Sequence, residues 1–97
     1  MRVRWTKTAK KQLLELFVYV AEERPGAARK LVSRLKEAAQ GLAAQPLRGR
    51  VVPEFGDPSI RERLVKPYRL LYTVQSDVYI LAVYHGRQLL PDKAEDL

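Results

Sequence analysis

The apolar positions of the chain follow two different periods. In the first half they recur every three or four residues, which is typical of helices with one buried face. In Ile60–Arg87, three short runs rich in Val, Ile, Leu and Tyr follow one another with brief interruptions, which is typical of strands. No interruption is long enough for a crossover helix, so these three strands are predicted to form an antiparallel meander.

Two helices are predicted before this meander. Arg2–Trp5 alternates like a short strand, and Thr6 can cap a helix that begins at Lys7. Pro25 ends that helix and begins a second one, which runs to about Ala44. Because the link is so short, the helices should form an antiparallel hairpin. The predicted buried stripes are Ala9, Leu13, Leu16, Phe17 and Val20 in the first helix, and Ala28, Leu31, Val32, Leu35, Ala38 or Ala39, and Leu42 in the second.

The remaining segments lack either period. Gln45–Ser59 is rich in Pro and Gly and is predicted to be a loop, with at most a brief strand at Arg50–Val52. Gln88–Leu97 is short and acidic, and we expect it to be poorly ordered without a partner. The prediction is a single α+β domain, residues 1–97, of two layers in the order β-αα-βββ. An antiparallel sheet carries the αα-hairpin on one face.

Composition narrows the class of protein. A chain of 97 residues with 46% hydrophobic and 30% charged residues is typical of one globular domain. It contains neither a bilayer-spanning apolar run nor a signal peptide, so a cytoplasmic location is expected. The absence of cysteine excludes disulfides and thiolate catalysis, and the single histidine excludes a His-rich metal site. We therefore expect neither a metal nor a cofactor.

The net charge of +7 is distributed unevenly. Residues 1–50 contain 12 Lys or Arg against 4 Asp or Glu, whereas residues 51–97 contain 6 against 7. A basic first half favours an acidic or polyanionic partner, such as nucleic acid, the ribosome or an acidic protein. The alternative is that these cations only form the solvated faces of the two helices.

Several short motifs, taken in order, resemble the RelE/ParE superfamily of bacterial type II toxins. The matching pieces are Leu42–Pro46 with Gly49-Arg50 and Pro53-Glu54, then Ile60-Arg61-Glu62, Tyr68–Tyr72 and Val83–Arg87. Together they extend over nearly the whole chain. The resemblance implies a growth-inhibiting toxin that is encoded beside an antitoxin, which wraps and neutralises it.

Two activities occur in this superfamily, so the fold alone does not choose between them. RelE-like members cleave messenger RNA in the ribosomal A site, and ParE-like members poison DNA gyrase without known hydrolysis. Under the ribonuclease alternative, Glu54 is the base, Arg61 and Arg69 hold the phosphate and His85 is the acid. Arg50, Arg61, Arg63 and Arg87 are the candidates for contact with the target or with phosphate.

Three features favour the ParE branch over the RelE branch. Val51–Ser59 contains no lysine, whereas RelE-like members place several there. The segment after Arg87 is acidic and lacks the catalytic side chains that the RelE branch uses near its C-terminus. The HGR turn with a brief tail also looks like the ParE branch. The enzyme question stays open, and the ribosome-dependent ribonuclease is the alternative.

The register of the last two strands affects this choice. A two-residue turn at Ser76-Asp77 places Arg69 opposite Tyr84, so Arg69 and His85 lie on different faces of the sheet and cannot share one site. A three-residue turn or a bulge shifts the pairing by one and can bring Arg69 opposite His85. Arg69 lies between core-type residues and should therefore have a partner, for which Glu54 and Glu62 are the candidates in a structural role.

Val78–Tyr84 is apolar at nearly every position, so both faces of the sheet should carry apolar side chains. The helices can cover only one of them, and the other face is predicted to bind the antitoxin. The candidate contact residues are Leu71, Thr73, Ile80 and Val83. Leu71→Asp or Val83→Asp, whichever faces outward, is expected to weaken antitoxin binding without unfolding the domain.

Overall fold

A sheet of five strands carries two helices, and a computed structural model describes all of residues 1–97. The elements in chain order are β1 (Val3–Trp5), α1 (Lys7–Ala21), α2 (Pro25–Gly41), β2 (Arg50–Val51), β3 (Arg61–Val65), β4 (Tyr68–Val74), β5 (Val78–His85) and a 3-10 turn at Ala94–Asp96. The α+β class and the helix hairpin packed on the sheet are as predicted. Neither helix combines the length and the apolar character needed to cross a bilayer.

The strands lie in the order β1-β5-β4-β3-β2. β3, β4 and β5 form the predicted antiparallel meander, and β2 adds an antiparallel partner to β3. β1 runs parallel to β5, so the sheet is mixed and not wholly antiparallel as predicted. The Asp77 carboxylate holds β1 at its start, because it accepts hydrogen bonds from the Arg2 N–H and from Arg4 Nε. At the other end of β1, the Thr6 N–H donates to the Ile80 carbonyl.

Local sequence signals place both helices. The Thr6 hydroxyl accepts a hydrogen bond from the Ala9 N–H, which confirms the predicted N-cap of α1. Pro25 is the first residue of α2, where its missing N–H costs no helical hydrogen bond. The α2 helix ends at Gly41, three residues before the predicted Ala44.

The main apolar core lies between the helix hairpin and the sheet, on what is called the helix face below. It contains twelve buried residues, which are Ala9, Leu13, Leu31, Leu35, Ala39, Leu42, Val65, Leu70, Tyr72, Val78, Ile80 and Val83. The predicted stripes of both helices contribute to it. Leu16, Val20 and Val32 pack against this cluster, whereas Phe17 and the buried Ala28 lie outside it. The Tyr72 hydroxyl donates to the Pro46 carbonyl and accepts from the Gly49 N–H, so it also ties down the segment before β2.

The register between β4 and β5 contains two irregularities that offset each other. The turn has three residues, since Val74 pairs with Val78, and a bulge at Leu81 then adds one residue to β5. Beyond the bulge, Arg69 pairs with Tyr84 and Tyr68 pairs with His85. The pairing at this end of the sheet is therefore the one that a two-residue turn alone would produce.

The opposite side of the sheet, called the loop face below, is smaller and is covered by irregular segments. Its buried cluster consists of Val52, Leu71 and Ala82. The residues packed against this cluster are Phe55, Ile60, Tyr84, Leu90 and Leu97. The prediction that this apolar face is uncovered is therefore wrong, because the chain itself covers the middle of the face. The tail that we expected to be poorly ordered lies on this face through Leu90 and Leu97.

Candidate functional site

Four charged side chains form a connected network on the loop face. Arg69 Nε donates to Glu62 Oε1 at 2.5 Å, and its two terminal nitrogens donate to both oxygens of Glu54 at 2.7 and 2.8 Å. The second oxygen of Glu62 accepts from Arg50 Nε at 2.6 Å. The Glu62 side chain is 0% exposed and the Arg69 side chain 9%, whereas Glu54 is 43% and Arg50 58% exposed. Both expected partners of Arg69 are thus bound to it at once.

Strand register brings this network together. Arg50 lies directly opposite Glu62, so the two side chains share one face. Glu62 pairs with Leu71, two positions along β4 from Arg69, which is within reach of a long side chain. Glu54 reaches Arg69 from the turn that follows Val52.

Gly49 allows β2 to lie this close to β3. A Cβ atom at this position would stand 2.3 Å from the Glu62 carbonyl oxygen and 2.7 Å from the Tyr72 hydroxyl. Any larger residue would therefore push β2 away from Glu62. The Gly49 carbonyl also accepts a hydrogen bond from Arg61 Nη1 at 2.8 Å, which holds the segment from the helix side of the sheet.

The network alters the protonation of its members. Hydrogen bonds from Arg69 lower the pKa of Glu54 from 4.5 to about 2, against a smaller opposing effect of burial. The bonds from Glu54, with a further contribution from Glu62, raise the pKa of the Arg69 guanidinium above its already high value. A general base works best with a pKa near the operating pH and a free lone pair. Glu54 has neither advantage in this arrangement, because both of its oxygens accept from Arg69.

His85 forms no hydrogen bond or ion pair with this network, although it lines one cleft together with Arg50 and Arg69. It pairs with Tyr68, and its ring meets the Tyr68 ring edge to face with centroids 5.4 Å apart. Because Arg69 pairs with Tyr84, the side chains of Arg69 and His85 project from opposite faces of the sheet. His85 Nδ1 accepts a hydrogen bond from the Arg87 N–H at 3.0 Å. The structure therefore brings Glu54 and Arg69 into direct contact, whereas His85 lines the same cleft as Arg69 but forms no hydrogen bond with Arg69 or Glu54.

The four predicted phosphate-contacting arginines do not form one cluster. Arg50 is on the loop face and is paired with Glu62, whereas Arg61 and Arg63 occupy helix-face positions opposite Tyr72 and Leu70. Arg61 Nη1 is bound to the Gly49 carbonyl and Arg63 Nη1 to the Leu64 carbonyl. Arg87 is exposed in the turn after β5.

The predicted antitoxin contacts require a larger correction. Ile80 and Val83 belong to the main core on the helix face, and Leu71 is buried beneath the loop and tail on the other face. Only Thr73 is partly exposed, and its hydroxyl donates to the Ser59 carbonyl at 2.7 Å. The sequence left open which of these residues faces outward, and it did not reveal that this chain covers both faces. Neither Leu71→Asp nor Val83→Asp can now be expected to leave the fold intact.

The sequence analysis did not single out three cations that lie beside the predicted ones. Arg34 and Arg48 line a cleft between α2 and β3 together with Arg63, and Lys66 lines both this cleft and a second one that contains Arg87. The positive charge of residues 1–50 was the only signal for Arg34 and Arg48, and Lys66 had none. The structure contains no group of three His, Cys, Asp or Glu side chains that could hold a metal ion.

Comparisons with known proteins agree with this architecture. The family model described as ParE toxin of type II toxin-antitoxin system, parDE, matches residues 3–90. A protein of Sinorhizobium fredii named as a toxin, Y4kP, is 36% identical over 92 residues, which is 93% of either chain. Toxin RelE2 of Caulobacter vibrioides is 34% identical over 90 residues, covering 91% of this chain and 98% of that one.

Two solved structures share the fold. One is from the chromosomal ParDE TA system of P. aeruginosa, with a TM-score of 0.74 at 22% identity over 88% of this chain and 95% of that chain. The other is from the toxin-antitoxin complex RelBE2 of Mycobacterium tuberculosis, with a TM-score of 0.65 at 29% identity over 87% and 88% of the two chains. The match of the family model to residues 3–90, together with these relatives, places the chain in the ParE toxin family of type II toxin–antitoxin systems, within the RelE/ParE superfamily.

Proposed function

We propose that this protein is a non-enzymatic toxin that inhibits DNA gyrase in the cytoplasm and is neutralised by a cognate antitoxin. The ParE family membership supports gyrase as the target, because the ParE branch is the gyrase-poisoning branch of the superfamily. The solved relatives come from toxin–antitoxin systems, which supports an antitoxin as the second partner. The observation that carries the choice of branch is the arrangement of Glu54, Arg69 and His85.

Cleavage of RNA by its own 2′-hydroxyl needs a base, a cation and an acid at one phosphate group. Three N–H groups of Arg69 already donate to carboxylates, and its side chain is only 9% exposed. Glu54 has a pKa of about 2 and has both oxygens engaged. His85 projects from the opposite face of the sheet and, although it lines the same cleft as Arg69, forms no hydrogen bond with Arg69 or Glu54. The arrangement supports a structural role for the pair and a toxin that makes and breaks no bond itself.

The test compares the two possible targets with one set of proteins. We expect the purified protein to inhibit supercoiling of a relaxed plasmid by gyrase, and its antitoxin to restore supercoiling. We expect messenger RNA in a translating extract to keep its full length. The most useful variant is His85→Ala, because His85 belongs to no ion pair and can be removed without disturbing Arg69.

Under the proposal, the His85→Ala variant inhibits gyrase to the same extent as the original protein does. Glu54→Gln serves as the second variant, since its amide oxygen can still accept one hydrogen bond from Arg69. The proposal is rejected in favour of the ribosome-dependent ribonuclease if the original protein shortens messenger RNA and leaves supercoiling normal, and if His85→Ala no longer shortens the messages.

A further inference from the structure

Five cations surround the edge of the sheet at β3. They come from four separate parts of the chain: α2, the segment before β2, the β3–β4 region and the turn after β5. Two clefts contain them, and these clefts meet at Leu64 and Lys66. The clefts also include Arg50 and Arg69, which are paired with carboxylates. The five remaining cations, called the basic edge below, are Arg34, Arg48, Arg63, Lys66 and Arg87.

The basic edge is not neutralised by the protein itself. All four side-chain ion pairs of the structure involve other cations, namely Arg4, Arg50 and Arg69. The lining of the two clefts includes only one carboxylate, that of Glu37. The surface is therefore strongly positive, unlike the loop face, where every buried charge has its counter-charge.

Two of these arginines are held in place by backbone atoms. Arg34 Nη2 donates to the Lys66 carbonyl at 3.2 Å, and Arg63 Nη1 donates to the Leu64 carbonyl at 2.8 Å. These contacts limit the motion of each guanidinium but leave its charge and most of its N–H groups available. A fixed cation loses less conformational entropy on binding an anion than a mobile one. Such an arrangement suits a partner with regularly spaced negative charges.

The shape of the site favours a double strand over a single strand. β2 pairs only with Arg61 and Glu62, so the rest of β3 forms an open edge between the two clefts. Proteins that hold single strands combine positive charge with exposed aromatic rings on which bases stack. Tyr68 and His85 are the only aromatic side chains that line either cleft, and their half-buried rings pack edge to face against each other. The basic edge thus offers charge without a stacking platform.

We propose that the basic edge binds the phosphate backbone of double-stranded DNA without reading its sequence. This goes beyond the proposed function, since the contact needs no gyrase, although it would also hold the toxin against DNA that gyrase has bound. Each cation engaged with B-form DNA releases about 0.9 counterion, so affinity should fall steeply with added salt.

The experiment measures binding to a fluorescent DNA duplex by anisotropy between about 50 and 200 mM salt. Arg48→Gln, Lys66→Gln and Arg87→Gln are combined, because none of these side chains makes a hydrogen bond within the protein. The control combines Lys7→Gln, Lys11→Gln and Lys30→Gln, which removes the same charge from exposed helix positions outside both clefts. Unfolding in urea verifies that both variants are folded.

We expect the basic-edge variant to bind duplex about tenfold or more weakly than the original protein, with the salt exponent reduced by about 3. The control should keep the original exponent. Equal losses in the two variants would overturn the proposal, because binding would then follow net charge alone. Tighter binding to single-stranded RNA than to duplex would also overturn it.

A gyrase assay on the same variants separates this proposal from the proposed function. If the basic-edge variant loses gyrase inhibition but the original protein has no affinity for DNA, the surface contacts the protein target and the proposal is wrong. If the original protein binds DNA as described but does not inhibit gyrase, the proposed function fails and the DNA contact stands.

Discussion

The two faces of the sheet are protected from water by different means. The helix face is covered by two regular helices and has a core of twelve buried residues. The loop face has only three, and next to them a buried Arg69–Glu62 pair is completed by the partly exposed Glu54 and Arg50. Packing stabilises the first face. On the second face, a few charged contacts compensate the two buried ions, and removing a partner leaves a buried charge with less compensation.

The largest expected effect is on the loop face. Arg69→Ala leaves the fully buried Glu62 carboxylate with Arg50 as its only partner, and should lower the free energy of unfolding by about 3–5 kcal/mol. Urea unfolding followed by circular dichroism measures this change. Arg87→Ala removes an exposed arginine without an ion pair and is the matched control, expected to change stability by less than about 0.5 kcal/mol.

A second variant tests whether the lower stability of Arg69→Ala comes from the buried Glu62 carboxylate that has lost its partner Arg69. Arg69→Leu combined with Glu62→Leu removes both buried ions and should recover most of the stability, because apolar replacements of buried pairs are often neutral. If Arg69→Ala proves no more harmful than Arg87→Ala, the pairing does not stabilise this face.

Neighbouring leucines on β4 compare the two faces directly. Leu70 and Leu71 are both fully buried, but Leu70 belongs to the twelve-residue core and Leu71 to the three-residue cluster. We expect Leu70→Ala to cost about 4 kcal/mol and Leu71→Ala about 2 kcal/mol, since irregular segments can settle into the space that is left. Thermal and urea unfolding of both variants provide the values. Equal costs would mean that the loop and tail are as rigid as the helices.

The helix face was largely predictable from the sequence because its signals are local. Thr6 and Pro25 mark helix starts, and the apolar periods define the buried stripes. The partners of Arg69 were also foreseen, since a charge among core residues needs compensation. The parallel pairing of β1 with β5 was not, because it joins residues 75 positions apart, such as Val3 and Val78.

The cover of the loop face was missed for a similar reason. Leu90 and Leu97 lie in an acidic tail whose apolar residues follow neither a helical nor a strand period, so the neighbouring sequence does not indicate that they are partly buried. The register between β4 and β5 also could not be derived, because it depends on a turn length and a bulge that offset each other. Side-chain alternation assigns residues to the two faces of the sheet only after the turn length and the bulge are known.

A smaller effect should appear as a dependence of stability on pH. The pKa of Glu54 falls on folding from 4.5 to about 2, so its contribution is complete above about pH 4.5 and is lost as the pH falls towards 2. Since the side chain is 43% exposed, screening by solvent should limit this contribution to about 1 kcal/mol. Glu54→Gln should flatten the decline in the urea midpoint across this range. Glu23→Gln, at an exposed glutamate without an ion pair, should leave the decline unchanged.

A further effect of about this size concerns the tail, where two adjacent leucines differ in their surroundings. Leu90 packs against the loop-face cluster, whereas Leu89 is 93% exposed. Leu90→Ser should therefore cost about 1 kcal/mol, and Leu89→Ser should be neutral. Hydrogen exchange at the Leu71 and Ala82 amides should accelerate only in the first variant, as partial loss of the cover allows the strands to open more often. If neither variant changes hydrogen exchange at these amides, the loop face is protected by Val52, Phe55 and Ile60 without the tail.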